Sequence, residues 1–448
     1  MDPEYSRGCS PGTPLLRPPG TPLLRTPGTP LQRALGGIVG VVAMLAACDR
    51  NAVPGAAVDS AAVVDADSPR DLASVVERMM PALERISGLD RRETLRVRRQ
   101  TSDGARAYVE MRMNEEMPPA ERDAVRRTYV ALGLLPDTLD LDALLLDLYT
   151  EQVLGYYDPS ARTLFVVSGQ RVSELQPVIA HELVHALQDQ HTNLDSLIAD
   201  DRGNDRQTAA HAAMEGHAML VMFSVLAEQA TGRMVEPAAL PNPAAELGPA
   251  LAAQNSEFPV FRRAPPVIRE TLLFPYLSGV DFVHTLWRAR RPLDRYPAPI
   301  DSLLPQSTEQ IMRPEEYFID RRDEPVAVAV GPLPADWHVE REDDLGQLEM
   351  SIFLAQHLGN AARAAANGWG GDRYALLVSP SGADVIYWRT VWDTEAAADE
   401  FAAAVRRVAD RRKDRQVTVR RERLDGRAAV RVVDAPAGVA TAALLQDG

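Results

Sequence analysis

The chain is predicted to be an α+β protein: a mostly helical body with one small sheet, followed by a small C-terminal α/β module. Three observations predict this. Stretches such as 139–157 and 205–230 carry apolar residues at helical spacing, while β-like alternation is confined to short runs between 94 and 168. The character then changes. RYALLVS, DVIYWRTVW, QVTVRRERL and AAVRVVD, with a helical stretch at 394–411, read as strands around a helix. Finally, 448 residues are enough for two or three cores.

The elements follow in order. A helix is expected over 70–87, and TLRVRRQT (94–101) and RAYVEMRM (106–113) alternate like strands. Residues 118–136 open on Pro and close on Gly133 and Pro136, a helix with both punctuation marks. Residues 139–157 form a second amphipathic helix, Asp158-Pro159 a turn, and RTLFVVS (162–168) a strand. Pro177 suits the first turn of the helix that carries HELVHALQDQH (181–191), and another helix spans 205–230. Residues 235–265 are Pro- and Ala-rich and loop-like, 270–287 helical and apolar. Ser307 with Gln310 marks a capping box, and VAVAV (326–330) a strand. The expected division is 1–48, a Pro-rich N-terminus and signal peptide; 49–69, a tether; 70–320, the main domain with its core at 139–232; and 321–448, the α/β module.

The N-terminus is set apart. GTPLLRPPGTPLLRTPGTPLQR (12–33) repeats every eight residues and is too rich in Pro for a helix. Arg33 then precedes ALGGIVGVVAMLAAC (34–48), an apolar run short for a membrane span and suited to a signal-peptide core. The formal net charge is −15, which argues against a nucleic-acid partner. Lys413 is the only lysine, a sign of GC-rich coding. The two cysteines, Cys9 and Cys48, both precede the globular part, so any metal site there must use His and carboxylate.

Such a site is written at 181–191. His181 and His185 are four apart and share one helix face; Glu182 lies about 100° round, near enough to reach a water on the same ion. H-E-x-x-H is the pattern of two zinc ligands and a general base. The frame VIAHELVHAL is uncharged apart from the motif, which a pair of surface histidines would not require. Five of the eight histidines fall between 181 and 217.

The third ligand has several candidates. His191 has the spacing of H-E-x-x-H-x-x-G-x-x-H, but Gln188 replaces the glycine that would turn the chain. On a continuing helix His191 lies about 9 Å further along and about 240° round, facing away. Glu215, in AAHAAMEGHAML, is the favoured candidate: small neighbours let two helices approach, so a carboxylate can cross between them. His211 and His217 remain open.

Two resemblances add expectations. LAAC (45–48) resembles the lipobox of bacterial lipoproteins, which implies lipidation at Cys48 and a membrane tether without a span; a secreted chain is the alternative. The HExxH helix followed by Glu215 resembles the gluzincins, zincin-fold peptidases whose third ligand is a Glu on a second helix. Together with YTEQVLGYYDPSARTLFVVSG, MEGHA, FPYLSGVDFV, PQSTEQIMRPEEY and WDTEAAADEFA, the motif resembles a group of bacterial envelope proteins described as zinc metallopeptidases.

These resemblances imply a zincin-like core holding one Zn²⁺ on His181, His185 and Glu215. Peptide bonds in the cell envelope would be hydrolysed by a metal-activated water, with Glu182 as general base. Peptide or protein is the expected substrate, and the membrane a partner through the lipid. Tyr156, Tyr157, Tyr276 and His217 are candidate oxyanion donors, TLFVV a candidate edge strand for substrate, and Asp189 or Asp195 candidates to orient a ligand imidazole. The alternative is a non-catalytic, zinc-stabilised binding or assembly lipoprotein.

Overall fold

Helix α1 (Pro69–Ser87) buries Leu72, Val75, Val76, Met79, Met80, Leu83 and Ile86, a three-and-four spacing that lays one apolar stripe on the core. The structure, a computed structural model, describes residues 69–197, 203–242, 244–245, 258–291 and 295–446. The N-terminal repeat, the signal-peptide-like run, Cys48 and the tether up to 68 lie outside the described residues, as does the side chain of Asp195.

After strand β1 (Arg96–Gln100) the sequence reading needs correction. RAYVEMRM is not a strand but the centre of helix α2 (Ser102–Glu116). The Thr101 hydroxyl accepts from Gly104 N at 3.1 Å, a cap worth about 1 kcal/mol. Ala105, Val109 and Met113 are the buried residues, a period of four that the intervening polar residues disguise as alternation.

Helices α3 (Pro119–Ala131) and α4 (Leu141–Gln152) follow. The helix expected to reach 157 stops early, and Gly155–Asp158 forms strand β2, hairpinned to β3 (Thr163–Val167). The sheet order is β1-β3-β2, with β1 parallel and β2 antiparallel to β3. TLFVV is therefore the central strand, with both edges paired, and cannot take an extended substrate; the edge beside the helices belongs to β2. Gly155 lets β2 lie against helix α5 (Gln176–His191), since a Cβ there would fall 2.8 Å from Val178 Cγ1.

Helix α6 (Asn204–Thr231) ends on Gly232 at φ 64°, the left-handed stop that glycine provides. It is long and apolar enough to cross a membrane, yet nearly all of that stretch is buried inside the fold. Helix α7 (Pro266–Ala289) lies along it. At helix α8 (Thr308–Met312) Ser307 Oγ accepts from Gln310 N at 3.3 Å, but Gln310 Oε1 reaches back to Gln306 N (2.7 Å) rather than to Ser307 N. VAVAV forms no strand; Val326 N donates to Gly370 O at 2.7 Å, and Arg389 Nη1 donates to the Ala329 and Val330 carbonyls at 3.3 and 3.5 Å.

The C-terminal part comprises β4 (His338–Asp343), α9 (Gly346–Leu358), β5 (Trp369–Val378), β6 (Asp384–Trp392), α10 (Glu395–Arg411), β7 (Arg415–Leu424) and β8 (Arg427–Pro436). The strands form one antiparallel sheet in the order β4-β5-β6-β8-β7. Trp388 and Trp392 pack on Phe401 of α10. On the other face Trp337, Tyr387, Val433 and Leu444 make a small second core. The main core runs from Leu72 through to Val432, so the helical body and the sheet are joined by shared packing. The fold is α+β.

Candidate metal centre

Helix α5 is buried all round from Val178 to Gln188, so its polar side chains must find partners inside the protein. His181 and His185 turn to the same side, and α6 brings Glu215 to meet them. His181 Nε2 lies 3.0 Å from Glu215 Oε2 and 3.0 Å from His185 Nε2, and His185 Nε2 lies 3.5 Å from the same Glu215 oxygen. All three residues are at most 1 % exposed.

These three atoms pass a test for a shared cation. A tetrahedral ion with N and O ligands at about 2.0–2.2 Å sets its ligands about 3.3–3.6 Å apart, close to the separations here. Two bare imidazole nitrogens at such range repel unless a proton or a cation lies between them. Burial holds the His181 imidazole below its ordinary range and so favours the neutral, ligand form. Burial alone would push the Glu215 carboxyl up, but His185, His181 and His211 together outweigh it and hold the group well below the usual carboxylate range.

A chain of hydrogen bonds sets the His185 tautomer. The Ser87 carbonyl can only accept, so His217 Nε2–H donates to it at 3.0 Å and Nδ1 is left bare. Gln188 Nε2 donates to that Nδ1 (2.9 Å) and to Met214 O (3.0 Å), which turns its Oε1 toward His185. His185 Nδ1–H then donates to Oε1 at 2.8 Å, leaving the Nε2 lone pair facing His181 and Glu215. On the other side His211 Nε2 binds Glu215 Oε1 at 3.2 Å, which leaves Oε2 for the cluster.

Glu182 sits beside these groups. Its Oε2 accepts from Tyr157 N, on β2, at 2.9 Å. Its Oε1 is buried with no hydrogen-bond partner among the described residues. Burial, and then the Glu215 charge, raise its carboxyl well above the ordinary range.

The remaining candidates fall elsewhere. His191 Nε2 donates to Asp90 O at 2.8 Å at the far end of α5, outside the cluster. His217 has both ring nitrogens engaged, which corrects its reading as an oxyanion donor. The Tyr157 hydroxyl donates to Asp189 Oδ2 at 2.9 Å, so it too is already committed, and Asp189 orients a tyrosine rather than an imidazole. Tyr156 stacks between Tyr108 and Phe165 on the opposite side of the strand. Tyr276 is buried on α7, three residues before Gly279.

The roles of Gln188, His211, Ser87 and the Tyr157 amide were not anticipated from the sequence. Only the i, i+4 spacing of His211 and Glu215 and the i, i+3 spacing of His185 and Gln188 could have signalled them.

Residues 334–445 match a family described as a domain of unknown function, DUF8575. That stretch covers the five-stranded sheet with α9 and α10. No curated protein and no solved structure matches the chain.

Proposed function

We propose that the chain is a zinc-dependent peptidase of the cell envelope, with a zincin-like core in which His181, His185 and Glu215 hold one Zn²⁺ and Glu182 is the general base. A His₂Glu donor set suits zinc. Zinc bound there would polarise a substrate carbonyl and lower the pKa of a water.

The protein's own groups would do the rest. Glu182 is anchored through Oε2, so Oε1 is the atom left to take a proton and pass it to the leaving amine. Gln188 keeps the His185 lone pair in place, and His211 steers the Glu215 carboxylate. The observation that carries the reading is the unpartnered Glu182 oxygen. A buried polar atom left without a partner costs about 1–3 kcal/mol, and a purely structural metal site has no need of it.

One observation favours a second reading. The four side chains are 0–1 % exposed, which suits a zinc-stabilised binding or assembly lipoprotein without turnover. Metal analysis by mass spectrometry, run alongside cleavage of a peptide library, separates the two. The peptidase predicts one zinc per chain, loss of zinc in Glu215→Ala, and a Glu182→Gln variant that keeps zinc but cleaves nothing. Zinc without cleavage in the unmutated chain selects the binding reading, and a chain that takes up no zinc removes both. The lipid anchor at Cys48 belongs to either reading; Cys48→Ser is expected to move the chain from the membrane to the soluble fraction.

A further inference from the structure

His211 stands four residues before Glu215 on α6, so the two share one face of the helix. Its Nε2 lies 3.2 Å from Glu215 Oε1. An ionised carboxylate can only accept, so Nε2 carries a proton and donates it. In the neutral ring this leaves Nδ1 with a bare lone pair. That atom is buried and has no hydrogen-bond partner among the described residues.

Two facts set this nitrogen apart. Steering Glu215 needs only Nε2, and gives no reason to bury Nδ1 unpaired at a cost of about 1–3 kcal/mol. The ring also lies nearer to solvent than the cluster it touches. The His211 side chain is 6 % exposed, against 0–1 % for His181, His185 and Glu215. A ligand that approaches the centre past His211 meets a fixed acceptor in want of a donor.

We propose that His211 is a substrate-positioning residue, whose Nδ1 accepts a hydrogen bond from one backbone N–H of the peptide. This role rests on the peptidase reading and names a group that holds the substrate. A peptide brings such a donor at every residue except proline. The captured N–H belongs to a single residue of the substrate, so that position excludes proline. Glu182 Oε1, the other unpartnered acceptor at the centre, stays available for the proton.

The test compares the full zinc-loaded chain with its His211→Gln and His211→Asn variants, all carrying Glu182→Gln so that peptide binds without being cut. A glutamine amide reaches the place of Nε2 and can still donate to Glu215; an asparagine amide reaches only the place of Nδ1. Zinc affinity is measured by chelator competition. The probe is a labelled library peptide that the unmutated chain cleaves, with analogues in which one N–H at a time is replaced by an ester oxygen, and binding is read by fluorescence anisotropy. One ester is expected to weaken binding about fivefold or more when His211 is present. His211→Gln should bind the parent peptide more weakly by a similar factor, lose nothing further on that ester, and keep its zinc affinity. His211→Asn should show the reverse, weaker zinc with the ester effect retained. The proposal is overturned if no ester matters, or if His211→Gln loses the same factor on it, which would leave His211 as a partner of Glu215 alone. A chain that holds zinc but cleaves no peptide removes the peptidase reading, and this role with it.

Discussion

At the scale of single residues, the candidate metal centre depends on a side chain outside its three ligands. Gln188 joins His185 to His217 and to the Met214 carbonyl, and no other geometry of that amide satisfies all three. Gln188→Leu removes the acceptor that holds the His185 proton on Nδ1 and strands two buried acceptors. Loss of such an outer partner weakens metal binding about 10–100-fold. Competition with a chromophoric chelator is expected to show that drop with the zinc stoichiometry unchanged; an unaltered affinity would remove Gln188 from the centre. His181, Glu182 and His185 were legible in the sequence because helix spacing alone places them, and Glu215 through its small neighbours and the gluzincin resemblance. Gln188 was not. In sequence it is only a good helix former, and its role appears when α1, α5 and α6 bring Ser87, His185 and His217 together.

At the scale of elements, close approach of α6 and α7 positions Glu215. A Cβ on Gly216 would lie 2.0 Å from the Gly279 carbonyl carbon, and one on Gly279 would lie 2.0 Å from Ala212 O. Neither obstacle is a side chain that can swing aside. Gly216→Ala must therefore shift a whole helix, and the cost belongs at or above the upper end of the roughly 1–3 kcal/mol typical of overpacking. The midpoint of urea unfolding should fall accordingly, and zinc affinity with it, because Glu215 is the adjacent residue. A midpoint unchanged by Gly216→Ala would mean that the helices do not touch there.

The sequence reading gave small residues the task of bringing α5 and α6 together; Gly216 and Ala212 also bring α6 onto α7 at Gly279, a second pair of helices that the reading did not name. The strand reading of RAYVEMRM failed because period two and period four overlap over eight residues, and the cap at Thr101 decides between them.

For the whole molecule, the C-terminal part is fastened to the start of the helix that carries Glu215. Asp343 Oδ1 accepts from Asn204 N at 3.1 Å and Asp344 Oδ1 from Asp205 N at 2.7 Å, so carboxylates from the end of β4 and just beyond it cap α6. Asp205 in turn accepts from Thr308 N at the start of α8, and Asp372 accepts from Leu345 N and Gly346 N at the start of α9. The strands of this part were legible from their alternation, but β4, α9 and this junction were not. Each cap comes from a segment distant in sequence, and an Asp before a helix looks the same whichever helix it serves.

The junction makes stability depend on pH. Burial pushes the Asp205 carboxyl up to about 7 and Glu349, which accepts two contacts from the Tyr129 hydroxyl, up to about 8. Unfolded values are near 4, so the folded state holds extra protons over that span. The stability this gives is complete below about pH 4 and is lost as pH rises through about 7 to 8. Buried histidines act in the opposite sense: burial holds His217 down at about 3, and its contribution is lost as pH falls below its unfolded value near 6.5. The window from about pH 6.5 to 8.5 therefore isolates the acids. Urea midpoints measured across it should fall as pH rises. Glu349→Gln, which keeps an acceptor for Tyr129 but cannot ionise, should flatten the upper half of that fall. A midpoint that holds steady or climbs across the window would mean that these carboxyls are ionised in the folded protein, with Asp205 held by the start of α8 and Glu349 by the Tyr129 hydroxyl.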